Sequence, residues 1–181
     1  MTRFVLPFVF AALVWTGCTT ASFTDPMPLN RRNLNHFPAK WQGTWTDGNG
    51  LTLQIHPGHL YDEQSEETIV LGETALLRRF HGYLVLNKQE EDPSRWTVTL
   101  GRRWKDEIHL WEFESSNEEA VAVWREILQA ESLQSVGEGE KQTYVLSPEN
   151  NAAFRQLITR GGITSSGTLR RKSALPAITS N

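Results

Sequence analysis

The sequence predicts a mainly β protein with two helices, in which an antiparallel meander closes into a barrel or half-barrel. Three observations carry this prediction. From Lys40 onward the chain breaks into short apolar–polar alternations separated by Gly, Asn, Asp and Pro, the pattern of strands and tight turns. Two longer stretches instead space their apolar residues at helical intervals. At 181 residues, the chain fits a single domain of ordinary size, expected here over residues 40–172.

The elements follow in order. Trp41-Gln-Gly43-Thr-Trp45 has period two, and Asp47-Gly48-Asn49-Gly50 after it supplies residues that accept positive φ cheaply, so a hairpin is expected there. Leu51 to Ile55 alternates apolar and polar until Pro57-Gly58 turns the chain. Further strands are expected at Thr68 to Leu71, Ala75 to Phe80, Tyr83 to Asn87, Arg95 to Gly101, and Glu107 to Phe113. A first helix is expected from Glu118 to Leu133, capped by Ser115 or Ser116 and carrying the stripe Val121, Trp124, Ile127 and Leu128. A second starts at Ser147-Pro148, carries Phe154, Leu157 and Ile158, and stops at Gly161-Gly162. Strands at Gln142 to Leu146 and Gly167 to Arg171 complete the set, with residues 173–181 as a loose tail.

The N-terminus reads as an address. Arg3 precedes an uncharged apolar run through Val14, and Thr16-Gly17 leads into Cys18, the only cysteine of the chain. A basic head, an apolar core and small residues at a cut site form the layout of a secretory signal, too short to cross a bilayer comfortably as a helix. One cysteine excludes an internal disulfide and a thiolate zinc cluster. Small residues followed by Cys18 resemble the lipobox of bacterial lipoproteins, although Trp15 stands where that family carries an aliphatic residue. The resemblance implies cleavage after residue 17, a diacylglyceryl group on the Cys18 sulfur and an acyl chain such as palmitate on the new amine. It also implies a place in the cell envelope on the periplasmic face of the outer membrane, because Thr19 replaces the Asp that signals inner-membrane retention. A plain secretory signal and an uncleaved anchor are the alternatives. Residues 18–39, rich in polar residues and proline, are expected to be a flexible tether.

Gly43-Thr44-Trp45 on the first strand resembles the start of lipocalins and other calycin barrels. That resemblance implies a calycin-like barrel whose Trp plugs one end under an arginine from late in the chain, Arg170 or Arg171. The alternation of helices with late strands departs from the family pattern.

Few residues of the chain point to a specific chemistry. Net charge is −3, and removing residues 1–17 takes Arg3 alone to give −4, so nucleic acid is not expected as a partner. His56 and His59 flank a turn, His81 adjoins another, His36 lies in the tether, and His109 shares the parity of Glu107, Trp111 and Phe113 expected to point inward. No metal, cofactor or catalytic residue is assigned, and the acidic runs at Asp62 to Glu67 and Glu90 to Asp92 read as solvated loops. Arg102-Arg103-Trp104-Lys105 reads as an exposed hairpin turn. The reading favoured by the sequence is a non-enzymatic binding module, moored to the membrane through its lipid, for a small apolar ligand held by Trp45, Trp96 and Trp111. A filled barrel that binds an envelope protein through its loops is the alternative; a hydrolase using acidic residues comes third.

Overall fold

The computed structural model describes residues 20–137 and 142–173. The signal segment, Cys18 and residues 174–181 of the expected tail lie outside the described residues. Most of the regular structure among the described residues is strand: β1 (Ser22–Phe23), β2 (Gly43–Thr46), β3 (Thr52–Ile55), β4 (His59–Asp62), β5 (Glu67–Val70), β6 (Ala75–Phe80), β7 (Tyr83–Gln89), β8 (Trp96–Trp104), β9 (Glu107–Glu112), β10 (Leu133–Val136), β11 (Thr143–Leu146) and β12 (Thr164–Ser173). Helices α1 (Glu118–Ile127) and α2 (Asn151–Thr159) interrupt the second half.

Successive antiparallel hairpins join β2 through β5 and β6 through β9, and β12 links the two runs by pairing with β9 on one side and β2 on the other. The sheet is mainly β-meander but is not closed into a barrel. Among the described residues β5 and β6 share no ladder, only the single bridge Leu71↔Ala75 and a hydrogen bond from Gly72 N to Ala75 O of 2.8 Å. Of the expected alternatives, the closed barrel is thus corrected and the half-barrel is compatible. The Asp47–Gly50 turn forms as its residues dictate: Asp47 Oδ1 accepts from Asn49 N and Leu51 N, and Gly48 and Gly50 take φ of 81° and 128°.

The two faces of the sheet carry two cores. On the inner face Trp45, Ile55, Leu60, Leu77, Leu84, Ile108 and Leu169 cluster. On the outer face Val85, Val98, Leu100 and Phe113 meet Val121 and Trp124 of α1 and Phe154 and Leu157 of α2. Neighbours Leu84 and Val85 fall in opposite clusters, as the period of two in a strand requires. This corrects the parity expected for β9. Ile108, Leu110 and Glu112 face the inner cavity, whereas His109 and Trp111 lie on the other face, because helices cover that face and give Trp111 apolar neighbours.

The expected tether is also corrected from Thr20 onward. Ala21, Phe23 and Met27 are fully buried, and β1 pairs antiparallel with β8 and parallel with β11. It fits because β8 splits its partners: β7 covers one edge, while on the other edge β9 pairs from Leu100 and β1 takes Trp96 and Thr97. Buried Asn87 accepts from Met27 N and donates to Met27 O at 2.8 Å, and buried Arg78 donates to Asn33 Oδ1 and Pro28 O, both at 2.8 Å, and to Pro26 O. Backbone groups in a segment without regular structure are thereby satisfied from the sheet.

Helix α1 begins at Glu118 as expected but with a different cap, and α2 begins later than the Ser147-Pro148 start expected for it. Asn117, not Ser115 or Ser116, caps α1 by accepting from Glu119 N and Ala120 N, and Asn150 caps α2 by accepting from Ala152 N and Ala153 N. Helix α1 stops at Ile127, and the residues expected to extend it to Leu133 instead turn into β10.

Candidate functional site

The candidate site is a cavity of about 220 Å³ inside the curl of the meander. Eight strands, β3 through β9 and β12, each contribute lining side chains, and Phe37 and Trp41 from the segment before β2 join them. Alternation builds the wall: Leu53 and Ile55, Leu84 and Leu86, and Ile108 and Leu110 each place two residues of one strand on the same face. Gly101 lets the Trp41 ring approach closely, since a Cβ there would stand 3.0 Å from it and the ring would have to shift.

Trp45 packs against the segment that carries Trp41. It is fully buried, its indole N–H donates to Trp41 O at 2.7 Å, and the Arg171 guanidinium lies 4.3 Å from its ring centroid. Arg171 also donates to Gln42 O and Lys40 O, at 3.0 and 2.7 Å, so one side chain ties β12 to the segment entering β2. Of the two arginines expected across Trp45, Arg171 is the one that lies there; Arg170 pairs with Glu107 at 3.2 Å.

The polar part of the wall consists of Asp62, Glu67, Thr99 and Glu112. Asp62 and Glu67 sit directly opposite each other across β4 and β5. Asp62 accepts from Gln64 N at 2.9 Å and Ser65 Oγ at 2.8 Å, and Glu67 pairs with Lys88 at 2.6 Å. Glu112 accepts a long hydrogen bond from Thr99 Oγ1 at 3.4 Å. Burial holds the Glu112 carboxyl above the usual carboxylate range, the Thr99 hydroxyl opposes this, and the charge of Glu114 adds to it.

The three tryptophans expected to hold a ligand are not brought together. Trp45 lies outside the cavity lining, and Trp96 and Trp111 pack half-buried against the outer core, Trp111 edge-on to Tyr83 with ring centroids 5.6 Å apart. The residues missed are Trp41, Asp62, Glu67 and Glu112. Trp41 had a signal, its period-two relation to Trp45, but Asp62 and Glu67 lay in a run whose charge reads as solvation, and Glu112 lay on the expected strand Glu107 to Phe113 at the parity opposite to the one expected to point inward.

The remaining candidates disperse. His56 and His59 stack with ring centroids 4.5 Å apart, and burial together with the neighbouring His59 holds His56 below the usual imidazole range. His109 shares a hydrogen bond of 3.1 Å with Thr168 Oγ1. Among the described residues no group of three His, Cys, Asp or Glu is placed to hold a metal, and no helix is long and apolar enough to cross a membrane. Trp104, in the basic cluster at the β8–β9 turn, is 66% exposed. The chain matches no known protein family, no curated protein and no solved structure.

Proposed function

We propose that the protein is a binding module for a small apolar ligand, moored to the cell envelope by a lipid on Cys18, rather than an enzyme. The observation that carries this reading is the apolar cavity inside the meander. Its volume of about 220 Å³ lies below the ~300 Å³ at which pockets for drug-sized ligands begin, so its occupant is a short chain or a single ring. The calycin resemblance of Gly43-Thr44-Trp45 agrees with a ligand-holding interior, and the stack of Arg171 on Trp45 supports the same comparison.

Isothermal titration with octanol tests the reading. The expected result is saturable one-to-one binding with a negative heat-capacity change, weakened at least about tenfold when Leu86→Trp narrows the cavity. Heats of dilution alone would overturn it.

The mooring rests on the sequence Thr16-Gly17-Cys18. Two residues carry the chain from Cys18 to Thr20, which bridges Glu114, and at ~3.5 Å per extended residue the reach is about 7 Å. A lipid on Cys18 therefore holds the folded body directly against the bilayer surface. Cys18→Ser is expected to leave the protein soluble or unprocessed; unchanged membrane fractionation and unchanged detergent partitioning would refute the attachment.

A further inference from the structure

The cavity's apolar wall is interrupted by one kind of charge only. Asp62, Glu67 and Glu112 line it, and among the described residues no Lys, Arg or His does. Like charges directly opposite across two antiparallel strands are unfavourable, yet Asp62 faces Glu67 in that relation. Lys88 balances Glu67 from outside the lining, and Asp62 is engaged with its own turn. Glu112 differs from both. Its one hydrogen bond is the long contact from Thr99, no ion pair reaches it among the described residues, and Glu114 follows two positions later with the same charge. A half-buried carboxyl held only by this long neutral contact lacks a strong donor, and a charged donor satisfies a carboxylate better than a neutral one.

Resting on the apolar-ligand reading of this cavity, we propose that its occupant is an apolar amine, with the hydrocarbon body against Leu77, Leu86 and Ile108 and the protonated nitrogen donating to Glu112. Charge complementarity selects this class. A fatty acid would bring a fourth carboxylate to a wall that already holds three, and a neutral alcohol would supply a donor without the charge. A metal ion does not fit, because the described residues offer no group of three metal-binding side chains.

Three probes with the same chain, octylamine, octanol and octanoate, separate these possibilities by isothermal titration to the purified protein. The amine is expected to bind at least about tenfold tighter than the alcohol, as a charge-assisted hydrogen bond at a partly desolvated site predicts, and octanoate weakest. In Glu112→Gln, checked for a cooperative unfolding transition, the amine-to-alcohol ratio is expected to fall below about threefold. Equal binding of amine and alcohol by the unmodified protein overturns the amine assignment and leaves the apolar-ligand reading standing. An amine preference that survives Glu112→Gln overturns the role of Glu112. Failure of all three probes to bind overturns both.

Discussion

Replacing Arg78 by Ala tests whether the segment from Thr20 to Phe37 belongs to the fold or hangs from it. Arg78 is 8% exposed, and burial holds its guanidinium below the usual arginine range. Its charge is offset by donation to Asn33 Oδ1, Pro26 O and Pro28 O. Hydrogen bonds from a charged donor contribute about 1.5–3 kcal/mol each, and a buried carbonyl left unpaired costs about 1–3 kcal/mol. Only the Pro28 contact is fully buried, so water can rescue part of the other two. The expected loss is therefore about 3–5 kcal/mol, within the range seen when a buried charged network is broken. For a domain of this length each kcal/mol lowers Tm by ~2–4 °C, which places the shift at about 10 °C. The assay is urea and thermal denaturation of Arg78→Ala beside the exposed neighbour Arg79→Ala, which should stay within about 0.5 kcal/mol. Limited proteolysis under native conditions should open the chain between Thr24 and Leu34 in the first variant only. A loss below about 1 kcal/mol in Arg78→Ala, with the segment still protected, would refute the reasoning.

Two further predictions concern the outer core and the cavity. At Gly162 a Cβ would stand 2.7 Å from Leu157 O and 3.0 Å from the Trp124 indole, whose N–H donates to Gly162 O; Gly162→Ala should cost about 1–3 kcal/mol in denaturant unfolding, and an unchanged midpoint would contradict this packing. Because the folded protein keeps the Glu112 proton to higher pH than the unfolded chain does, the native protein loses stability as pH rises from the ordinary carboxylate range through the raised folded value. Glu112→Gln removes that loss, so the variant should gain on the native protein across this window and hold its advantage above it; urea midpoints that run parallel at every pH would sink the assignment.

Much of the strand pattern was legible because its causes are local. Ala75 to Phe80 forms β6 at the expected bounds, and the Asp47–Gly50 turn closes its hairpin, since alternation and positive-φ residues act within a few positions. The N-terminal segment was not legible, because Ala21 to Pro28 has no period of its own and is ordered by Arg78 and Asn87, about fifty to sixty residues away. Strand β4 was missed because His59, Tyr61 and Asp62 mix ring and charge without a clear alternation, although Leu60 is buried. The carboxylates escaped notice for a related reason: Asp62 and Glu67 sit at the two ends of one turn, where sequence cannot distinguish a side chain facing solvent from one facing a cavity. The count of seven tryptophans carried no assignment either. Trp45 and Trp124 fill cores, Trp41 lines the cavity and Trp104 is exposed, and only tertiary packing separates these roles.

Native mass spectrometry of the protein extracted from its own membranes tests the central claim most directly, since it reads the cavity's contents without prior choice of ligand. The expected mass is that of the lipid-modified polypeptide plus one small apolar molecule, lost on gentle activation and absent from Leu86→Trp. A mass equal to the modified polypeptide alone, in both the native protein and that variant, would contradict it.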